Sequence, residues 1–258
     1  MKSILRTGIA MCVLAIVLIA LSVAFMRAHA GVSNENRPVD AQVVNVIMSG
    51  SIDLVLQQAS VPSMLIKGDA SMLSRVTSKI EGNTLFLGTR GLIITTRQPL
   101  IVELSLPNLE KLQMQGSGDS NIKGFRGGAL TLESRGSGDL RFDGEYRQVN
   151  ATSSGSGDLK LVVSNNDKLE IFLHGSGDAL VKGQSKILNA KLSGSGDLDA
   201  ASLKAAEVSL DSTGSATSRV FASKEIKVRA TGNGNVTILG NPQKRNVDRA
   251  GSAEIHWQ

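Results

Sequence analysis

The chain has 258 residues, 41% of them hydrophobic, which is enough for the core of one domain or two small ones. Aromatic residues make up only 3% and there are 27 glycines, so the composition argues against an enzyme packed around large rings and favours an all-β protein with many tight turns. The formal charge is +5, but Lys2, Arg6 and Arg27 lie near the N-terminus, and 25 basic residues face 23 acidic residues elsewhere. This balance excludes a strong electrostatic preference for nucleic acid or anionic membrane.

The N-terminal residues have the pattern of a targeting signal. Lys2 and Arg6 precede an uncharged apolar stretch over residues 9–26, which is followed closely by the small residues of Ala28-His29-Ala30. This order predicts a signal peptide over residues 1–30, and therefore an exported protein of the periplasm or cell surface. The apolar stretch is close to the ~20 residues that span a bilayer, so an uncleaved membrane anchor is the alternative. This anchor is the only contact with a membrane that we expect. The single cysteine, Cys12, lies in this segment, so the mature chain is expected to have no disulfide.

Residues 31–107 are predicted to form an irregular β-rich cap or early coils. Apolar residues alternate at Ile52, Leu54 and Leu56, and again over residues 100–106, as in strands with one buried face. Asp69 precedes apolar residues with helical spacing, which predicts one short helix that ends near Ile80. A cap has a physical reason here, because the open end of a stack of strands exposes unpaired backbone and apolar core.

A repeat of 19 to 20 residues dominates the rest of the chain. The tetrapeptide Gly-Ser-Gly-Asp occurs at 116–119, 136–139, 155–158, 175–178 and 194–197, and degraded copies begin at Gly214 and Gly232. Successive copies are 20, 19, 20, 19, 20 and 18 residues apart. Five identical tetrapeptides at nearly constant spacing indicate a repeat architecture in which each unit stacks on its neighbours.

The residues that flank the tetrapeptide indicate strands. Positions four before its first glycine, and four and six after it, are mostly apolar, as is the position six before it from the copy at 136–139 onward, and Ser120 and Ser218 are the polar exceptions. Even spacing is the period of a strand with one face buried. In the copy at 155–158, these positions are Val149, Ala151, Leu159 and Leu161. Each repeat is therefore predicted to be a strand, a glycine-rich corner and a second strand, and glycines eight positions after the start of four motifs indicate a second corner: Gly124, Gly144, Gly183 and Gly240.

A unit of about twenty residues must bury its apolar face against its neighbours through parallel pairing. The sequence therefore predicts an all-β fold, a single-stranded right-handed parallel β-helix (a solenoid) with about 19–20 residues per coil over residues 108–240. The eighteen-residue coils of the left-handed form, built from hexapeptides, do not fit this period, and neither do propeller blades of ~40 residues. Asn241-Pro242 interrupts the pattern, so residues 241–258 are predicted to form a polar C-terminal tail.

The parity of the pattern predicts which way the corner residues point. Both glycines are expected to point inward, where a side chain has no room, and the serines and aspartates outward in two columns. Neighbouring carboxylates ~4.8 Å apart repel, and we expect each to accept hydrogen bonds from the backbone of its own turn, with Arg141, Lys160 and Arg219 nearby. A row of Ca²⁺ sites and a carbohydrate-binding surface are the alternatives. The candidate cation ladder consists of Asp119, Asp139, Asp158, Asp178 and Asp197.

The sequence offers little material for catalysis or for a cofactor. His174 and His256 are the histidines that follow the signal segment, and neither has around it the motif of a Ser-His-Asp triad. The Gly-x-Gly-Asp turns join strand to strand, so no helix N-terminus is available to receive a phosphate. Trp257 is expected to pack on the end coil. We therefore expect no catalytic residue, cofactor or metal. The alternative is a carbohydrate-active enzyme, a polysaccharide lyase or hydrolase, because some enzymes of this kind have a β-helix fold.

Three sequence elements together resemble the auto-transporter adhesin head domain, or GIN domain, a family of uncharacterised exported bacterial proteins. They are the Val-Ile-Met-Ser-Gly-Ser-Ile-Asp-Leu sequence at 46–54, the Leu-Pro-Asn-Leu-Glu-Lys-Leu sequence at 106–112, and the repeated corners. The resemblance covers residues 39–240 and implies a right-handed, single-stranded β-helix without an established activity or ligand. We expect a non-catalytic interaction or structural module of the cell envelope, and its partner could be an envelope protein or a glycan. Only eighteen residues follow Gly240, which is too few for the C-terminal membrane barrel of an autotransporter.

Overall fold

Long strands that bend at the glycine corners form the main body of the protein. The computed structural model describes residues 32–91 and 99–258, so the predicted signal segment lies outside the described residues. Within these two ranges, no helix is long and apolar enough to cross a membrane. Six strands of 15 to 17 residues follow one another: β9 (Ser120–Gly136), β10 (Leu140–Gly155), β11 (Leu159–Gly175), β12 (Ala179–Gly194), β13 (Leu198–Gly214) and β14 (Ser218–Gly232).

These six strands stack in parallel, each on the next in sequence. Leu140 pairs with Leu159 at the start of β10 and β11, and Gly155 pairs with Gly175 at their ends. The same register continues from β11 to β14. Because corresponding residues of successive repeats lie directly above one another, the predicted parallel β-solenoid is confirmed.

The inward columns of this stack form one continuous core. Side chains at the even positions predicted from the sequence are buried, and Leu169, Ile171 and Val220 are fully excluded from solvent. The polar exceptions Ser120 and Ser218 also lie inside, with exposures of 1% and 0%. The alternation of buried and exposed residues therefore sets the cross-section of each coil, as the period-two pattern predicted.

The solenoid begins earlier than the repeated tetrapeptides do. Strand β2 (Asn45–Gly50) pairs in parallel with β8 (Lys111–Gly116), and β3 (Asp53–Gln58) pairs in parallel with β9. Gly50 lies in register with Gly116, so residues 50–53 form the corner of a first coil. The sequence predicted either an irregular cap or early coils over residues 31–107, and residues 45–58 lie in register with the repeats. The pairing joins segments 66 residues apart, and its trace in the sequence is Gly50-Ser51-Ile52-Asp53, a degraded copy of the tetrapeptide.

A cap covers the outer side of this first coil. Strands β6 (Thr84–Thr89) and β7 (Ile101–Leu106) pair in parallel with β2 and β3, so this later segment lies outside the earlier one. Three antiparallel strands complete the end: β4 (Ser63–Asp69) on β7, β5 (Val76–Glu81) on β6, and β1 (Val32–Arg37) on β4. The irregular β-rich cap expected from the sequence is therefore present.

Only the first turn of the helix predicted from Asp69 to Ile80 is helical, and the second half of the segment is a strand. Helix α1 contains only Ala70–Leu73, and β5 begins at Val76. Strands β5 and β6 form a hairpin whose turn contains Gly82, with a φ of 58°. Strand β5 is stabilised by pairing with β6 along six residues. A short helix has no comparable support, because so few residues do not form a stable helix on their own.

The C-terminal residues add a further coil where the sequence predicted a polar tail. Strand β16 (Lys244–Gly251) pairs in parallel with β14, and β17 (Glu254–Trp257) pairs in parallel with β15 (Asn235–Leu239). Every residue of β16 is exposed, so the segment is polar, as predicted, although it is ordered in the stack. Its corner, Gly251-Ser252-Ala253-Glu254, is a degraded copy of the tetrapeptide that the sequence analysis missed.

Candidate functional site

The first glycine of each corner forms a column that runs the length of the solenoid. Each member has a φ between 84° and 140°, a conformation that L-residues with side chains rarely adopt. A Cβ on Gly155 would lie 2.0 Å from the carbonyl oxygen of Gly136 in the preceding coil. Glycine is therefore required both by the backbone angle and by the close approach of the coils. The column consists of Gly50, Gly116, Gly136, Gly155, Gly175, Gly194, Gly214, Gly232 and Gly251.

The direction predicted for the two glycines is half right. The second glycine, such as Gly157, is buried, whereas the first, such as Gly155, is exposed. Both are restricted by the backbone of the coil below, because a Cβ on Gly157 would lie 2.1 Å from the oxygen of Gly138. The reason for glycine is thus the stacking of coils and not a lack of room in the core. The second position does accept a side chain in three coils, where Ile52, Ala216 and Ala253 are buried.

The aspartate column connects each coil to the next. Asp119 Oδ1 accepts the backbone N–H of Asp139 at 2.9 Å, and Asp139 Oδ1 accepts that of Asp158 at 3.0 Å. The same hydrogen bond recurs from corner to corner. The series begins with Asp53 Oδ1, which accepts the N–H of Asp119, and ends with Asp197 Oδ1, which accepts the N–H of Thr217 at 2.7 Å. The carboxylates were expected to accept from their own turns, and that detail was wrong: each carboxylate caps the following coil. Because the regular ladder is interrupted at the corner, the side chain supplies the acceptor that the backbone lacks there.

Basic side chains offset part of the negative charge along this column. Arg141 lies 2.9 Å from Asp139 and 4.0 Å from Asp119, and Lys160 lies 4.0 Å from Asp158. Arg219 was expected near the carboxylates of this column. It instead contacts Asp199, on the adjacent column, at 3.2 Å. Basic side chains therefore offset the charge at Asp119, Asp139 and Asp158.

The cation ladder proposed as an alternative has no cage of ligands around it. Within residues 32–91 and 99–258, no three or more His, Cys, Asp or Glu side chains are grouped so as to hold a metal ion. A shallow hollow of about 230 Å³ contains Asp158, Asp178, Asp197 and Asp199, but the Lys160 side chain also lines it. One oxygen of each column carboxylate there already accepts a backbone N–H.

The histidines lie apart from any catalytic arrangement. His174 is exposed on an outward column, and its Nδ1 lies 3.1 Å from the Ser193 hydroxyl of the next coil. His256 lies 3.3 Å from Glu254 on the last coil. Neither pairs with both a nucleophile and a carboxylate, which a catalytic triad requires.

Carboxyl groups with shifted pKa values are likewise dispersed. The Lys186 ammonium, 2.6 Å away, lowers the pKa of Asp167, and the Lys227 ammonium lowers that of Glu225. A glycosidase acid needs a raised pKa, which keeps its proton near neutral pH. Both shifts run in the opposite direction, so these side chains act as ion-pair partners.

Two adjoining hollows at the second corner form a polar groove. They have volumes of about 550 and 310 Å³ and share Arg126, Gly127 and Tyr146. The second-corner glycines were predicted from the sequence, but the groove was not. Gly124, Gly183 and Gly240 have positive φ values, as expected for a corner, whereas Gly144 does not. The groove lies where register shifts interrupt the pairing of β9 to β12, so its residues do not follow the period-two pattern.

Comparison with known proteins agrees with the repeated corner and the stacked coils. The sequence profile of the family described as "Putative auto-transporter adhesin, head GIN domain" matches residues 44–242. The chain therefore belongs to this family, as its sequence motifs predicted. None of the curated proteins compared with it matches.

Solved structures from two Parabacteroides species have the same fold. A protein named as a putative lipid binding protein from Parabacteroides distasonis superimposes with a TM-score of 0.79 at 19% identity, over 89% of this chain and 98% of that one. A putative adhesin from Parabacteroides merdae gives 0.78 at 21% identity, over 88% and 97%. A putative adhesin from P. distasonis gives 0.80 at 19% identity, over 88% and 98%. At these identities the similarity shows a shared fold.

Proposed function

We propose that this protein is an exported, non-catalytic binding module of the cell envelope. The observation that carries the proposal is the regularity of its walls. Each coil from β9 to β14 returns to the same corner after 18 to 20 residues, with almost no insertion. A wall of this kind displays one outward side chain per coil in straight columns, a repetitive surface suited to binding extended partners. Membership of the adhesin head family supports a role in adhesion.

Export is supported by the predicted signal segment at residues 1–30 and by the family. The proposed location is the periplasm or the cell surface. Fractionation of cells that produce the full chain tests this part. We expect the protein in the envelope fraction, either beginning at Gly31 after cleavage or retaining residues 1–30 in the membrane. Full-length protein in the cytoplasm would contradict export.

The non-catalytic role is tested with the purified mature chain and isolated envelope material from bacteria. We expect the protein to sediment with this material and to release no soluble sugar. The carbohydrate-active enzyme remains the contrasting outcome. It predicts that reducing ends accumulate with time, since hydrolysis of each glycosidic bond creates one. Failure to sediment with any envelope fraction would contradict the binding role itself.

A further inference from the structure

The groove at the second corner extends along the solenoid axis over five successive coils. It runs from Asn108, before β8, through the corners of β9, β10 and β11, to Lys186 in β12. With coils ~4.8 Å apart, five coils give a length of about 19 Å. This length suits an extended chain molecule, and the groove is open along its whole side.

The floor of the groove is fixed by buried polar contacts. Tyr146 is 1% exposed, and its hydroxyl donates to the Leu109 carbonyl at 2.7 Å. The Asn166 amide donates to the Tyr146 carbonyl at 2.9 Å, and its oxygen accepts from Ser185 at 2.7 Å. Four coils are thus joined beneath the groove. A floor held in this way is preorganised, because its buried polar side chains already have hydrogen-bond partners within the protein.

Two glycines keep the groove open. A Cβ on Gly127 would lie 2.5 Å from the Tyr146 ring, so glycine allows the chain to approach that ring closely. A Cβ on Gly128 would meet no atom within 4 Å. At Gly128 the protein therefore leaves space that a side chain could fill without strain.

The charges that line the groove are balanced and alternate. Three acidic and three basic side chains contribute, and most of them are paired across coils. Arg126 lies 3.3 Å from Glu145, and Lys186 lies 2.6 Å from Asp167. Asn165, with a φ of 50° that is unusual for a residue other than glycine, donates its amide to Glu145. The six charged residues are Glu110, Arg126, Glu145, Arg147, Asp167 and Lys186.

We infer that this groove binds a neutral, hydroxyl-rich oligosaccharide of about three to four sugar units. A sugar hydroxyl both donates and accepts, and therefore matches a surface on which carboxylates, amides and guanidinium groups alternate. A polyanion requires an excess of positive charge, which these six side chains do not have. An acyl chain requires an apolar lining, and the apolar side chains here, such as Tyr146, are buried in the floor. The inference rests on the proposed binding role and names its ligand class and site.

The test uses the purified mature chain on an array of immobilised oligosaccharides of two to six sugars, both neutral and acidic. We expect binding to neutral chains, and the dissociation constant should change less than about twofold between about 0.05 and 0.5 M salt, because no net charge is recognised. Binding to acidic chains alone, or binding that high salt abolishes, would overturn the neutral ligand. Absence of binding to every neutral chain would overturn the inference as well.

The variant Gly128→Leu places a side chain in the groove where the structure has free space. We expect it to weaken oligosaccharide binding at least tenfold and to leave the melting temperature unchanged or higher, since leucine is better suited to a strand than glycine. Gln184→Ala removes a polar side chain at the far end and should weaken binding about fivefold. Ser202→Leu, at an exposed position outside the groove lining, is the matched control and should bind normally.

The outcomes separate the two proposals. Undiminished oligosaccharide binding by a folded Gly128→Leu variant would place the ligand elsewhere and overturn the groove assignment, while the binding module would stand. If the wild-type chain sediments with envelope material but binds no neutral oligosaccharide, only the ligand class fails. If it does neither, the proposed function fails first.

Discussion

At the residue scale, two forces compete along the aspartate column. Like charges about 4.8 Å apart repel by roughly 1 kcal/mol per neighbour even at the dielectric of water. Each carboxylate also accepts one backbone N–H of the next coil, and a hydrogen bond to a charged group contributes about 1.5–3 kcal/mol. The hydrogen bond therefore outweighs the repulsion. Thr217 and Asn235 continue the column with uncharged residues, and Glu254 occupies the equivalent position on the last coil.

Asp178 tests this balance, because the Lys and Arg ion pairs lie at other aspartates of the column. Its carboxylate accepts the N–H of Asp197 at 2.9 Å. We expect Asp178→Ala to lower the free energy of unfolding by about 1–2 kcal/mol, and Asp178→Asn, which keeps an acceptor, by less than about 1 kcal/mol. Urea denaturation measures both. If Asp178→Ala instead stabilises the protein, repulsion dominates the column. Asp211→Ala, on an outward wall, is the control and should be nearly neutral.

The glycine column predicts a contrast between two glycines of the same solenoid. Gly155 has a φ of 140° and would place a Cβ 2.0 Å from Gly136, whereas Gly128 has open space. We expect Gly155→Ala to cost about 3 kcal/mol or more and Gly128→Ala to be neutral or slightly stabilising. Thermal melting of the two variants measures the difference. Equal melting temperatures would show that the coils do not approach as closely as described.

At the element scale, the strands of the repeat were predictable because their signal is local. Gly-Ser-Gly-Asp marks each corner, and apolar residues at even positions mark the inward face of each strand. The stacking order at the first coil could not be predicted, because residues 45–58 pair with residues 111–123 and, on their other side, with residues 84–106. Such an order depends on tertiary packing and has no periodic signal. The last coil was missed because its strand β16 has no buried residue.

The candidate site was less predictable than the fold, for a related reason. The sequence predicted the aspartate column and its outward direction. The backbone N–H that each carboxylate accepts could not be predicted, because it depends on how the coils stack and not on the turn itself. The polar groove lies at corners where register shifts interrupt the alternation of inward and outward residues. Its traces in the sequence are Gly127-Gly128 and Asn165-Asn166-Asp167, which are meaningful only once the coils are superimposed.

Tyr146 links strand β10 to the segment before β8, and it is the chain's single tyrosine. Burial raises its pKa well above the ordinary value of 10.0. An unfolded chain loses this proton above pH 10 while the folded chain retains it, so stability is unaffected below pH 10 and falls as the pH rises beyond it. We expect phenolate absorbance to appear only on alkaline unfolding.

Tyr146→Phe checks the origin of this behaviour. It removes the hydrogen bond to Leu109 and should lower the free energy of unfolding by about 1 kcal/mol at pH 7. Phenylalanine has no ionisable proton, so the free energy of unfolding of the variant should fall less above pH 10 than that of the wild type. Phenolate absorbance that rises near pH 10 in the folded wild-type protein would contradict the burial.

At the scale of the whole molecule, the ends of the stack need protection, since an open coil exposes apolar core and free backbone groups. On the last coil, Arg245 is in register with Ile226 of the preceding core column, and Arg249 is in register with Ala230. The Arg245 guanidinium lies 4.3 Å from the centre of the Trp257 ring, so the tryptophan packs on the end coil, as expected. Charge in inward columns discourages a second copy from continuing the stack.

Replacement of both arginines, Arg245→Leu with Arg249→Val, should therefore make the protein associate end to end. We expect dimers and larger species in sedimentation velocity at concentrations where the wild type is monomeric. The control, Lys244→Leu with Asp248→Val, changes outward positions of the same strand and should remain monomeric. A monomeric Arg245→Leu/Arg249→Val protein would show that these charges do not protect the end.

The in-register stacking of corners is most directly measured with engineered cysteine pairs, because Cys12 is the only native cysteine and lies in the predicted signal segment. Ser137 and Ser156 occupy equivalent exposed positions on adjacent coils, whose Cα atoms, about 4.8 Å apart, are within disulfide range. We predict that Ser137→Cys/Ser156→Cys forms an intramolecular disulfide under mild oxidation, whereas Ser137→Cys/Ser176→Cys, two coils apart, does not. Disulfide formation by the second pair but not the first would contradict the stacked coils.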